Sequence, residues 1–489
     1  MSRHKRGEAV ALSLAAVLVV GASVVVRAEF AVSSLAVPAA TTTTTSASAE
    51  QSPTVSPTPA PSPTVPAAGS SADVPTAVPS SVRPTSTAPV PPASSTRPPA
   101  TKTPTPKPSP KPSASPTPGP GQTTTTLPRS KQIRIADRYL STYGARRTSW
   151  DTVVDSGRRL PGVTSKCAKS WRSSGRDSRL SWGSVPYLCL NGLQGRAYKP
   201  QGVGGSATTE RYLIDGAPAA NRNLVVTSWY SEAQEPGLFA PNHGGQSVTR
   251  LVVMDLDRAR YNKIELVRPD GSRHLRNLDS HGSGVVWAGQ YLYTSSRGVL
   301  WMYNADDIVK IRGHYVLPAI ARWTVHGRGG LSSISIDRST SPARLTGINY
   351  SKSGQAYIQS FELDANGLLA PNSRRADHDL YVTNKFGDRH RTVHSTSSLV
   401  VRGSSFQGVA SSGAYGFANS SALHISGRVI DATVVLKHGK VIERFRMPKG
   451  NGESIFIDYR RRTFTSITEH GSQFLYQLPL NHLTEVAER

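Results

Sequence analysis

The feature that most narrows what this chain can fold into is a phrase of short strands and tight turns that recurs through its C-terminal part. The clearest copy runs Gly284-Val-Val-Trp, a turn at Ala288-Gly-Gln, Tyr291-Leu-Tyr-Thr-Ser-Ser, a turn at Arg297-Gly, then Val299-Leu-Trp-Met-Tyr. Period-two alternation broken by Gly-containing turns describes three antiparallel strands. Ser332-Ser-Ile-Ser-Ile-Asp337 leads in the same way to Leu345-Thr-Gly-Ile-Asn-Tyr350 and Ala356-Tyr-Ile-Gln-Ser-Phe-Glu-Leu363. Gly408-Val-Ala leads to Ala414-Tyr-Gly-Phe-Ala-Asn-Ser-Ser421, and Ser454-Ile-Phe-Ile-Asp458 to Thr463-Phe-Thr-Ser-Ile-Thr468. An earlier copy opens at Gln201-Gly-Val and continues through Leu224-Val-Val-Thr-Ser-Trp-Tyr230 and Val248–Asp255. The copies start near residues 201, 283, 331, 407 and 453.

A unit of roughly 45–80 residues that is itself a small sheet leaves two apolar faces bare, so its copies must stack on one another. Stacking around a ring covers every face, which makes the fold all-β: a β-propeller over residues 197–489. Five to seven blades fit, because the two long intervals between copies have room for degenerate blades or for loops. A β-sandwich would use the same strands but would leave the repetition unexplained. Residues 129–196 read as an N-terminal extension of the folded domain, with a short helix around Ile133–Leu140 and a basic, loop-like stretch after it. That stretch holds the chain's two cysteines, Cys167 and Cys189, about 22 positions apart. In an exported chain the simplest expectation is one disulfide.

The copies open with Pro200-Gln-Gly-Val, His281-Gly-Ser-Gly-Val, Gln407-Gly-Val-Ala and Gly452-Glu-Ser-Ile. These openings resemble those of secreted propellers of the NHL, strictosidine-synthase and gluconolactonase-like groups. They are more similar still to uncharacterised exported propellers of actinobacteria that carry a comparable leader and stalk. The resemblance covers about residues 197–480 and implies a propeller whose first strands line the central channel. Of the metal-binding Glu/Asn/Asp set of the lactonase group only Glu453 has a counterpart, so lactonase chemistry is not implied.

Export follows from the N-terminus. Arg3, Lys5 and Arg6 precede an uncharged run from Ala9 to Val26, which makes residues 1–40 a signal peptide or a signal anchor. Val26-Arg27-Ala28 fits a cleavage site, while about 18 apolar residues also approach the length of a single membrane anchor. Residues 41–128 contain no Phe, Trp or Tyr and are almost wholly Pro, Thr, Ser, Ala and Val. Such a segment cannot bury enough surface to offset chain entropy, so a disordered stalk is expected. At ~3.1 Å per residue in polyproline II it would reach at most roughly 270 Å, enough to cross a thick wall. The formal charge is +25, of which about +2 falls in residues 1–40, about +3 in the stalk and roughly +20 on the rest. A surface so biased favours polyanions, although singly scattered Arg would give the same sum. No Lys/Arg run with interleaved aromatics appears, so a nucleic-acid partner is not expected.

If first strands line the channel, their opening residues gather at one mouth. Gln201, His281, Ser283, Gln407 and Glu453 would then converge, offering amide, imidazole and carboxyl groups to a polar ligand or a cation. Plugging the channel by mutual hydrogen bonds is the competing account. Glu469-His470, after the middle strand of the last copy, is a candidate acid/base pair, and Glu469 joins the ligand-site residues. Asp377-His-Asp379 with Asp388, His390 and His394 is the densest His/carboxylate group. It reads as a basic loop, so no metal is expected there. Gly202-Val-Gly-Gly-Ser-Ala207 lacks the helix that a dinucleotide site requires. Asp255-Leu-Asp257 and Asp364-Ala-Asn-Gly367 read as strand-end turns. No nucleophile elbow, HExxH or P-loop occurs, and no cofactor is identified.

The expected function is that of an extracellular, envelope-associated propeller that binds or scaffolds an anionic or carbohydrate polymer as a monomer. The rival is a secreted hydrolase or lyase at the channel mouth, with Glu453, His281 and Glu469 as its groups. A wall-spanning structural role for the stalk is a third possibility.

Overall fold

The computed structural model describes residues 132–489, apart from 195–196, 207–212, 215–216, 219–220, 232–237, 240–247, 272, 327–329, 353, 370–390, 426–427 and 451. Residues 1–40 and 41–128, expected to be a leader and a stalk, lie outside the described residues. Among the described residues no helix is long and apolar enough to cross a membrane.

The strands form five antiparallel four-stranded blades. Blade 1 comprises Tyr198–Gly205, Leu224–Ser231, Thr249–Asp255 and Arg260–Asp270. Blade 2 comprises Val285–Ala288, Tyr291–Ser296, Val299–Asn304 and His314–His326. Blade 3 comprises Ser333–Asp337, Arg344–Ile348, Gln355–Glu362 and Ser397–Arg402, and blade 4 Phe406–Ser412, Tyr415–Ile425, Arg428–Lys437 and Lys440–Arg446. Blade 5 takes Gly452–Asp458, Thr463–Thr468 and Phe474–Pro479 from the end of the chain, and its outer strand, Tyr187–Cys189, from the N-terminal extension. The first strands touch in the order 1, 2, 3, 4, 5 and back to 1, so the ring is closed. Each repeated phrase is thus one blade of a β-propeller, and the long intervals hold outer strands and loops rather than a sixth blade among the described residues.

Five is a small number for such a ring, and it brings the first strands close together. A Cβ on Gly204 would lie 2.3 Å from the Val285 carbonyl oxygen of blade 2. One on Gly284 would lie 2.4 Å from the Ile334 nitrogen of blade 3, and one on Gly408 2.2 Å from the Glu453 carbonyl oxygen of blade 5. The glycines that open the copies are therefore sites of backbone-to-backbone approach between blades. The strand His314–His326 adds a second tie. Its first half pairs in parallel with blade 1 (Tyr315 with Ile264 to Pro318 with Val267), and its second half pairs with blade 2 (Ala319 with Tyr303 to Thr324 with Val299). Pro318, which has no N–H to donate, sits where the pairing changes partner.

The extension is built onto the ring. Helix α1 covers Asp137–Ser141, shorter and later than the Ile133–Leu140 helix expected from sequence. The residues before it are extended because external partners capture their backbone: Ile133 N–H donates to the Tyr291 hydroxyl and Ile135 N–H to Asp307 Oδ2 at 2.6 Å. Asp307, fully buried, also pairs with Arg134 at 2.9 Å and Arg147 at 2.5 Å. Helix α2, Trp150–Asp155, is capped by Ser149 and lays Trp150 against Trp287 with 4.5 Å between ring centroids. Its indole N–H donates to the Ala305 carbonyl at 3.0 Å. Helix α3, Ser165–Arg172, is capped by Thr164 and carries Cys167, which forms the expected disulfide to Cys189 across a Cα–Cα distance of 6.3 Å. Trp171, one helical turn on, stacks on Tyr187 of the closing strand at 4.4 Å. Disulfide and stack thus hold a three-residue strand that would otherwise make few contacts of its own. Helix α4, Leu480–Ala487, follows blade 5 directly and buries Leu483.

A candidate ligand site at the channel mouth

All five first strands open at the same end of the ring, and in three of them the opening is a β-bulge. In blade 1 Pro200 pairs with Trp229 and Gly202 with Ser228, which leaves Gln201 as the extra residue. In blade 4 Phe406 pairs with Ser420 and Gly408 with Asn419, leaving Gln407. In blade 5 Gly452 pairs with Thr468 and Ile455 with Ser466, so Glu453 and Ser454 oppose Ile467 alone. A bulge residue leaves the in-out alternation and its side chain is re-aimed. Here all three line one cavity of about 510 Å³. Blade 2 adds His281, Ser283 and Arg297, and blade 3 adds Leu331, Ser332 and Tyr350, so every blade contributes to the wall.

The supports of these side chains are local. The loop carrying His281 and Ser283 is held from blade 1 by the hydroxyls of Ser228 and Thr249, which donate to the carbonyls of Gly282 and Ser280. Ser283 N–H then donates to the Ser295 carbonyl at 2.8 Å. Arg297 and Gly298, with φ of 45° and 82°, form the two-residue hairpin between the second and third strands of blade 2. Behind the cavity the ring axis is filled. Ser333 Oγ of blade 3 donates across it to Ser454 Oγ of blade 5 at 3.2 Å. At the far strand ends the Tyr459 hydroxyl lies within hydrogen-bond reach of the carbonyls of Ile336 (3.2 Å) and Ser411, and accepts from Arg338 N–H. The cavity is a walled cup with a floor.

Glu453 is the unusual group in it. Its side chain is completely buried and nothing in the protein donates to either carboxyl oxygen. Burial, then the charge of Glu469 and a hydrogen bond given to it, then the charge of Asp431, push the Glu453 pKa well above the ordinary carboxylate value. Glu453 in its protonated form donates to Glu469. Glu469 is buried too but does not line the cup; it lies behind Glu453. It accepts from the Tyr230 hydroxyl at 2.8 Å and lies 3.2 Å from His470 Nε2. Lys199 Nζ is 3.3 Å from His470 Nδ1. An ammonium only donates, so Nδ1 accepts and the ring proton on Nε2 points at Glu469. The same logic applies at the rim: Arg297 donates to His281 Nε2 at 3.0 Å, and the His281 ring packs on Tyr230 at 4.5 Å.

No family model matches the chain, and no curated protein matches it. Among solved structures it is similar to Kuenenia stuttgartiensis hydrazine synthase, at 11% identity and a TM-score of 0.28 over 55% of this chain and 73% of that one. It is similar also to the β-propeller domain of Myceliophteria thermophila Cps50 (Swd1), at 10% identity and a TM-score of 0.28 over 60% and 99% of the two chains. A third is Chaetomium thermophilum Raptor, at 8% identity and 0.27 over 58% and 24%. Scores this low carry no functional argument, and the ring is read from the strand pairing itself.

Of the six residues picked from sequence, Gln201, His281, Ser283, Gln407 and Glu453 come together in the wall, and Glu469 stands outside it. Arg297, Leu331, Ser332 and Tyr350 complete the wall without having been picked. Ser332 had a signal, since it opens the third copy where Ser283 opens the second. Arg297 and Tyr350 lie at strand ends that only the ring carries to the mouth. The pair Glu469-His470 is in contact but belongs to a chain of partners running from Lys199 to Glu453. Residues 377–390 of the His/carboxylate group lie outside the described residues, as does the side chain of His394. Among the described residues no group of three or more His, Cys, Asp or Glu is arranged for a metal ion. Gly202 and Gly204 serve packing, as above. Asp255 accepts from Arg258 N–H at 3.0 Å and pairs with Arg222, and Asp364 accepts from Asn366 and Leu368 N–H at 2.8 and 2.9 Å. Both are strand-end turns.

Proposed function

We propose that this propeller works outside the cell as a binding module and takes an anionic or carbohydrate polymer of the cell envelope at the cup. The observation that carries this is the threefold bulge, which turns two amides and a buried acid onto one cavity. Two serine hydroxyls add donors and acceptors, and Tyr350, 43% exposed, offers a ring to the apolar face of a sugar. The cup volume falls within the ~300–1,000 Å³ usual for small-molecule sites. A disulfide in the folded part is compatible with an oxidising, extracellular setting. The resemblance of the blade openings to the secreted NHL and strictosidine-synthase groups points to the same end of the ring. The exported chain acts as a monomer, with the stalk as spacer. Binding of the full chain to isolated cell walls across a salt series tests this. Retention that weakens as salt rises is expected for a polyanion, and no retention at low salt rejects the reading.

One observation favours the enzyme reading. A buried acid with a raised pKa beside a second carboxyl is the arrangement used for proton transfer. Glu453→Gln separates the two, since an amide still donates to a bound ligand but transfers no proton. A binding module keeps its affinity within about ten-fold, whereas a hydrolase or lyase loses roughly 10²-fold or more in rate.

A further inference from the structure

We propose that the cup seats the terminal unit of its polymer, and that this unit carries an anionic group held by Arg297. This rests on the cup being the ligand site. The first half follows from shape. Walls come from all five blades, and among the described residues Ser333, Ser454 and Tyr459 fill the axis behind, so a chain entering the cup along the axis does not run on through the ring. An internal segment would need two openings, whereas an end needs one. The second half follows from charge. Among the described residues of the wall Arg297 is the one Lys or Arg, and it is exposed. Its orientation is set by the bond to His281, which is itself packed on Tyr230. Among the described residues of the wall the one acid, Glu453, has Glu469 as its neighbour rather than a cation, which favours its neutral form and leaves the cup without a competing carboxylate charge. A cup with one guanidinium, a neutral acid, two amides and two hydroxyls suits a hydroxyl-rich unit bearing one carboxylate or phosphate.

Calorimetry on the full chain with D-glucuronate, glycerol 1-phosphate and D-glucose tests it, together with competition by each against wall binding. The expected result is that an anionic probe binds and displaces walls, with glucose at least about ten-fold weaker. Arg297→Asn, which keeps a residue suited to the left-handed turn, should erase that preference. Which anionic probe wins separates a carboxylate from a phosphate source. Glucose binding as tightly as glucuronate overturns the anionic part while leaving the cup as a ligand site. Walls that bind but are displaced by none of the probes overturn terminal seating. Failure of both walls and probes to bind removes the underlying reading, and the inference with it.

Discussion

Gln201, Gln407 and Glu453 differ in chemistry but share a backbone position, the extra residue of a bulge where a first strand opens. Their types were legible in the sequence, and so was their recurrence beside Gly-Val or Ser-Ile. Their direction was not, because in an unbroken strand the alternation would send half of them elsewhere. Glu453 has a pH signature of its own. With a folded-state pKa above the unfolded one, the folded chain binds more protons, so its contribution to stability is full below about pH 4.5 and is lost as pH climbs through the raised value. Glu469 and Asp431 are the charged groups that raise it. Glu453→Gln should therefore lose less stability than the parent between about pH 5 and pH 8, read as the shift in urea midpoint. Gly408→Ala tests close approach at the neighbouring position. A methyl 2.2 Å from the Glu453 carbonyl must push blades 4 and 5 apart, for an expected loss of about 1–3 kcal/mol in denaturant unfolding.

At the scale of elements the strand phrases translated almost residue for residue. Tyr291–Ser296 and Val299–Asn304 are strands joined by Arg297-Gly298, as alternation and turn residues indicated. The fourth strands were less visible. Tyr187–Cys189 is three residues long and carries no pattern, and it becomes a strand only because Phe474–Tyr476 presents an open edge to it. The short helix was misplaced for a related reason: buried Asp307 draws Arg134, Arg147 and the Ile135 amide to itself, and that tertiary demand overrides local propensity. Two predictions belong here. Cys167→Ser should cost about 3 kcal/mol in the chain-entropy account, and amide exchange should quicken at Phe474–Tyr476 before other strands, because the closing strand loses its pin. Asp307→Asn should strip two arginines of their buried partner, at about 3–5 kcal/mol, and limited proteolysis should then cut first between Gln132 and Arg147.

For the whole molecule, closure by the N-terminal extension makes the ring one cooperative unit rather than five independent blades. Deleting residues 132–190 should leave blade 5 with three strands and a bare edge, and the product should show no cooperative thermal transition in circular dichroism. The repeated phrase by itself determined the all-β class and the stacking of small sheets, because these depend on local alternation and on turns of a few residues; the gathering of the openings at one mouth was implied by the resemblance to known propellers. The tertiary structure decided the number of blades, the source of the last strand, the presence of Arg297 and Tyr350 in the cup, and the exclusion of Glu469 from its wall. Each of those depends on which distant segment meets which. That is set by ring closure and by backbone approach at Gly204, Gly284 and Gly408, and no window of neighbouring residues contains it.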